Sequence, residues 1–169
     1  MENLISHIEN PSKHIINLIK FPSGEVVSSP SKWLSDRWFL RETKFHTDLK
    51  CVEISPYRNP EKDSNVFVGE KYLGHKVIRS LQNPLCSLMH MHEEIDLFSI
   101  IDPDHAFDFL QKIDFSKHKI KHFIIAINPL KTKDRKQNTK DIKNFMKDKA
   151  CFVKQNRTEL LYVSQGHEE

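Results

Sequence analysis

The apolar positions of this chain fall into short, dense runs separated by polar stretches, and the spacing within each run names an element. Residues 15–21 form an apolar run closed by Pro22-Ser23-Gly24, the pattern of a strand entering a turn. Over residues 31–43, Trp33, Leu34, Trp38 and Leu40 share a helical face. Lys50–Ile54 is a compact β-type run stopped by Pro56, and residues 65–68 form a second one stopped by Gly69. Residues 95–101 predict a buried strand ended by Asp102-Pro103. Proline suits the first turn of the helix that follows, whose stripe is Ala106, Phe107, Phe109, Leu110 and Ile113. Residues 120–127 are the strongest strand in the chain. A helix then starts near Thr139, a good N-cap, and buries Ile142, Phe145 and Met146. Residues 151–154 and 159–163 close the series as two strands around Asn156-Arg157, a hairpin signal.

Strands that alternate with helices and end in a hairpin predict an α/β fold, a mostly parallel sheet with a C-terminal antiparallel hairpin. No repeat or low-complexity linker divides the chain, so residues 1–169 read as a single domain. Its apolar runs are far shorter than the roughly 20 residues of a membrane helix. The first residues include Glu2, His7, Glu9 and Pro11 and do not resemble a signal peptide. Three cysteines, Cys51, Cys86 and Cys151, are odd in number and form no C-x-x-C pair, which fits reduced thiols and a cytoplasmic location.

Charge changes the picture only in its distribution. The net charge is +3, yet residues 111–154 hold 13 Lys/Arg against four Asp/Glu, an excess of nine that leaves the remainder at −6. Such polarity could serve an acidic protein or nucleic acid as partner; a solvated lysine-rich helix and loop is the plainer reading. Residues 131–140 read as a basic polar loop without an interleaved aromatic, so no platform for base stacking is evident in the sequence.

Several of these runs also carry a family resemblance. Pro84-Leu-Cys-Ser-Leu-Met, Ile95-Asp-Leu-Phe-Ser-Ile and Phe109-Leu-Gln-Lys-Ile-Asp-Phe-Ser-Lys follow one another as a helix, a strand and a helix. With residues 120–128, Glu159-Leu-Leu-Tyr-Val, Trp38-Phe-Leu-Arg-Glu and Cys51-Val-Glu-Ile-Ser-Pro, they resemble the FkbM-type S-adenosylmethionine-dependent methyltransferases, including the Star-like animal branch. The resemblance spans most of residues 38–164 and is clearest over 84–128. It implies a Rossmann-like methyltransferase sheet with residues 15–21 as first strand, residues 22–26 as cofactor turn and Lys50–Ile54 as second strand. It implies a cofactor-binding role for Gly24 and Glu25 in that turn, and for Glu53, whose carboxylate would grip the ribose hydroxyls.

The departures from the family pattern are as informative. Where members carry "D-x-G-A-x-x-G", this chain has Phe21-Pro-Ser-Gly-Glu-Val, with one glycine and a stiffening proline. Where they carry "S-I-D-x-E-G-x-E", the positions after Ser99-Ile100 hold Ile101, Asp102, Pro103, Asp104, His105 and Ala106. Asp102, Asp104 and His105 are the catalytic candidates left at that place; helix capping by Asp102 and an ordinary surface histidine are the plainer readings. The expected function is therefore a divergent methyltransferase-like domain, catalytically impaired and acting by binding. Its S-adenosylmethionine site is expected to be weakened or lost. An active O-methyltransferase with an unknown methyl acceptor and a basic scaffold for nucleic acid or an acidic protein are the alternatives. Cys86, His90, His92, Glu93 and Glu94 sit close in sequence but match no zinc spacing, so no metal site is expected. No P-loop, G-x-S-x-G or H-E-x-x-H motif occurs.

Overall fold

A computed structural model describes residues 18–31, 35–56, 59, 63–80, 93–127, 133–156 and 158–165. The chain order is β1 (Leu18–Lys20), β2 (Val26–Ser28), α1 (Ser35–Glu42), β3 (Lys50–Ile54), α2 (Phe67–Leu73) and β4 (Lys76–Ser80). There follow β5 (Glu94–Ile100), α3 (Ala106–Gln111), β6 (Lys119–Ala126), α4 (Lys133–Met146), β7 (Ala150–Gln155) and β8 (Glu159–Ser164). Six strands form the main sheet in the order β4-β3-β5-β6-β8-β7. The first four are parallel, while β8 runs antiparallel to both β6 and β7. The expected α/β class, with its parallel sheet and closing hairpin, is what the chain adopts.

Alternation along the central strands sets the two cores. Val52, Ile54, Phe98, Ile100, Phe123, Ile125, Leu160 and Tyr162 face the layer that holds α3 and α4. Cys51, Leu97, Ile124 and Leu161 point the other way, against Trp38, Phe39 and Leu40 of α1 and against Ile19 and Val27. Each central strand is thus buried on both faces, which is why it reads as a continuous apolar run.

Four expectations need correction. Of residues 15–21, expected as the first strand of the main sheet, the described Leu18–Lys20 pairs instead with β2, in a separate two-stranded sheet. Lys50–Ile54, expected as second strand, sits inside the main sheet between β4 and β5. Residues 65–68 do not make a strand, because they lead into α2. There Ser64 Oγ accepts from the amides of Val66 (3.2 Å) and Phe67 (3.1 Å), a side-chain turn that satisfies donors at a helix entry. Finally, α4 begins at Lys133, so Lys133 to Lys140 is helix where a loop was expected. Its first turns bury little and show no apolar stripe, but Lys, Arg and Gln are strong helix formers. The helical piece around Pro84 and the Cys86/His90 spacing lie outside the described residues. Among those described, no helix is long and apolar enough to cross a membrane.

Candidate functional site at the carboxyl edge of the sheet

The strand order reverses between β3 and β5: the chain moves outward from β3 to β4, then returns to pair β5 on the other flank of β3. In open α/β sheets, ligands bind beyond the carboxyl ends of the strands at such a switch point. Here the ladders continue one residue past the strands, with Ser55 N donating to Ser80 O at 3.1 Å and Ile101 N to Ile54 O at 2.8 Å. Just inside the carboxyl edge lies a continuous seam of buried polar side chains.

Glu53 stands on β3, in register with Ser99 on β5, and is 1 % exposed. Its Oε1 accepts from Ser64 Oγ at 2.7 Å and its Oε2 from the Asn65 amide at 2.8 Å, so the carboxylate serves the entry to α2. Arg79 Nε lies 3.6 Å away, and the rest of that guanidinium forms a two-point pair with Glu70 at 2.9 and 2.6 Å. Burial pushes the Glu53 carboxyl up to about 7, against the opposing pull of its hydrogen bonds and of Arg79.

Asn65 is the hub of the seam. Its Oδ1 accepts from Ser31 Oγ at 2.8 Å, and its Nδ2 donates to Ser99 Oγ and to Glu159 Oε1, each at 3.1 Å. The second oxygen of Glu159 accepts from Ser35 Oγ, which itself accepts from Asn156 Nδ2 at 3.0 Å. Beside them Ser29 Oγ donates to Asp36 and accepts from the Ser31 amide at 3.0 Å. The other Asp36 oxygen accepts from the Arg37 amide at 2.7 Å. Burial raises the Asp36 carboxyl to about 7, and the nearby charge of Glu159 adds to the shift. The groups are buried, and each carboxylate oxygen has a donor. Ser29, Ser31, Ser35 and Asp36 precede or open α1, so the seam stitches the N-terminal layer onto the carboxyl end of the sheet.

The candidates from sequence divide between the two ends of the molecule. Asp102 and Asp104 follow the carboxyl end of β5, and His105 precedes α3, so all three sit at the rim of the Glu53 edge. Asp102 Oδ1 accepts from the Asp104 amide at 3.2 Å and Oδ2 from His105 Nδ1 at 2.9 Å. That hydrogen bond raises the pKa of the exposed imidazole. Helix α3 starts at Ala106 rather than Pro103, so Asp102 forms a turn ahead of the helix and does not cap it directly.

Gly24 and Glu25 are elsewhere. They close the β1–β2 hairpin, where Gly24 N donates to Phe21 O at 2.9 Å and Phe21 N to Glu25 O at 2.8 Å. Gly24 has φ +93°, which explains a glycine there by turn geometry alone. The ring of Phe21 packs on Phe45 (5.4 Å) and Tyr72 (6.0 Å). Those residues flank the amino-terminal end of β3 and β4, so this turn lies at the opposite end of the sheet from Glu53.

Sequence reasoning missed most of the seam, namely Ser29, Ser31, Ser35, Asp36, Ser64, Asn65, Ser99 and Glu159. The available signal was the isolated polar residue within or bounding an apolar strand run, as in Leu97-Phe98-Ser99-Ile100 and Glu159-Leu160-Leu161. Among the described residues no group of three or more His, Cys, Asp or Glu could hold a metal ion.

No family model matches the chain, and no curated protein matches it in sequence. Among solved structures, a chain in the crystal structure of a fibrillarin/Nop5p complex aligns over 88% of this chain and 97% of its own. The two share 13% identity at a TM-score of 0.46.

Proposed function

We propose that this chain is a divergent methyltransferase-like domain that has given up methyl transfer and acts by binding. The observation that carries the reading is the commitment of Glu53. A carboxylate that holds ribose hydroxyls must present acceptors to an open crevice. Glu53 is almost wholly buried, and both its oxygens already accept hydrogen bonds from Ser64 and Asn65. Gly24 and Glu25, the other residues that the FkbM resemblance would assign to S-adenosylmethionine, face solvent at the far end of the sheet. The residues present therefore do not fit that cofactor. Thermal melting tests this: excess S-adenosylmethionine is expected to leave the midpoint unchanged, whereas a ligand-dependent rise overturns the reading.

One observation favours a second reading. The Asp102–His105 pair at the rim is oriented as a carboxylate-held imidazole, the arrangement of a general base. In an active O-methyltransferase with a rearranged site, His105 would take the proton of the acceptor hydroxyl. Transfer of labelled methyl groups to a hydroxyl acceptor, lost in His105→Ala, would establish it.

A further inference from the structure

At the opposite edge of the sheet, α4 and the edge strand β7 present a surface with its own chemistry. Lys136, Lys140, Lys143 and Lys147 are all exposed and recur at intervals of four, three and four residues. That spacing places Lys136, Lys140 and Lys143 on one face of the helix, and Lys147, just past its end, extends the row to about 16 Å. No acidic residue stands three or four positions from any of them within α4. The pairs Lys136/Lys140 and Lys143/Lys147 instead set like charges one turn apart, an arrangement that disfavours the helix. Asp134 and Asp141, seven residues apart, line a different face of α4. Among the described residues no ion pair involves any of the four lysines.

The row borders a cleft of about 530 Å³ lined by Lys143, Lys147, Ala150, Cys151, Phe152 and Tyr162. Phe152 is 50% exposed, with its ring against Tyr162 at 5.5 Å and the Lys143 ammonium 5.1 Å from its centroid. Val153 beside it is 43% exposed, and β7 ends the sheet with one edge unpaired among the described residues. An aromatic ring, absent from residues 131–140, thus stands beside the lysine row on the neighbouring strand.

We infer that the α4–β7 edge binds single-stranded nucleic acid, the lysine row following the phosphates while a base stacks on Phe152. An acidic polypeptide satisfies the lysines but leaves the exposed ring without a planar partner. A duplex keeps its bases stacked on one another and away from it. This site is remote from the Glu53 edge, so its failure would leave the reading of that edge intact.

Fluorescence anisotropy with a labelled single strand of about 16 nucleotides tests the inference, with the matching duplex and poly-glutamate as competitors. Binding is expected at about 50 mM salt and weakens on a log–log plot with a slope of about −3, roughly −0.7 per phosphate neutralised. Lys140→Gln with Lys143→Gln is expected to reduce that slope by about 1.4. Phe152→Leu, which keeps apolar packing against Tyr162, is expected to weaken binding about tenfold while leaving the slope unchanged; a melting curve confirms that each variant is folded. No anisotropy change at low salt would overturn the inference. So would competition by poly-glutamate or duplex equal to that of the single strand, with Phe152→Leu indifferent.

Discussion

Glu53 and Asp36 show how single residues tie the fold to its site. Each is buried, and burial lifts each carboxyl to about 7 from ordinary values of 4.5 and 3.8. Between those values and about 7 the folded chain binds more protons than the unfolded one, so stability falls as pH rises through that window and stays low above it. His75 pulls the other way: burial lowers its pKa below the ordinary 6.5, so acid conditions penalise the fold. Thermal melts from about pH 5 to about pH 8 are expected to show a decline at the alkaline end, by a few kcal/mol in total at most. Asp36→Asn is expected to flatten part of it; an unchanged slope would show that Asp36 does not titrate there. Gly69 makes a second residue-scale case. A Cβ at this position in α2 would lie 2.1 Å from His75 Nδ1. The ring cannot retreat freely, because its Nε2 donates to His46 O at 2.9 Å. Gly69→Ala is expected to cost about 1–3 kcal/mol in denaturant unfolding, whereas a neutral result would mean that the His75 ring has room to move. Few glycines are present, and Gly24, Gly69 and Gly74 serve a hairpin turn, a close side-chain approach and a left-handed helix end.

At the scale of elements, the polar seam attaches α1 and the entry to α2 to the sheet. Asn65 alone joins residues from three places in the chain, Ser31, Ser99 and Glu159. Asn65→Ala removes three hydrogen bonds among buried polar groups and is expected to cost about 3 kcal/mol. Hydrogen exchange then localises the damage. Amides of Ser31 and Arg37 are expected to exchange faster, while those of β5 and β6 keep their protection. Uniform loss across the sheet would mean that the seam supports the whole core and not only its N-terminal cover. Elements with dense apolar runs were legible in the sequence, as β3, β5, β6 and β8 show. Where hydrophobic period is weak, it failed. Val66 and Val68 alternate like a strand, yet a side-chain turn at Ser64 starts a helix there. The first turns of α4 bury little and so resemble a loop. The strand β4, Lys76–Ser80, is half-buried along most of its length and gave no strong signal.

At the scale of the molecule, fold class was readable because parallel strands buried on both faces leave continuous apolar runs. Strand order was not. Pairing of β3 with both β4 and β5 depends on contacts distant in sequence, and no local pattern records them. The same gap misplaced the site. Taking residues 15–21 as first strand put Gly24 beside Glu53, whereas the hairpin carries Gly24 to the other end of the sheet. Asp102, Asp104 and His105 were brought together as neighbours in sequence, and the rim keeps them so. The polar seam needed the topology, since hydrogen-bonded members are up to 124 positions apart, as with Ser35 and Glu159. In the proposed reading the polar seam stands where a cofactor would bind at the switch point. For calorimetric titration of the intact chain with S-adenosylmethionine, no saturable heat is expected from a well-folded sample. Micromolar binding, lost in Glu53→Ala while Gly24→Ala retains it, would overturn that reading and make the crevice a working cofactor site.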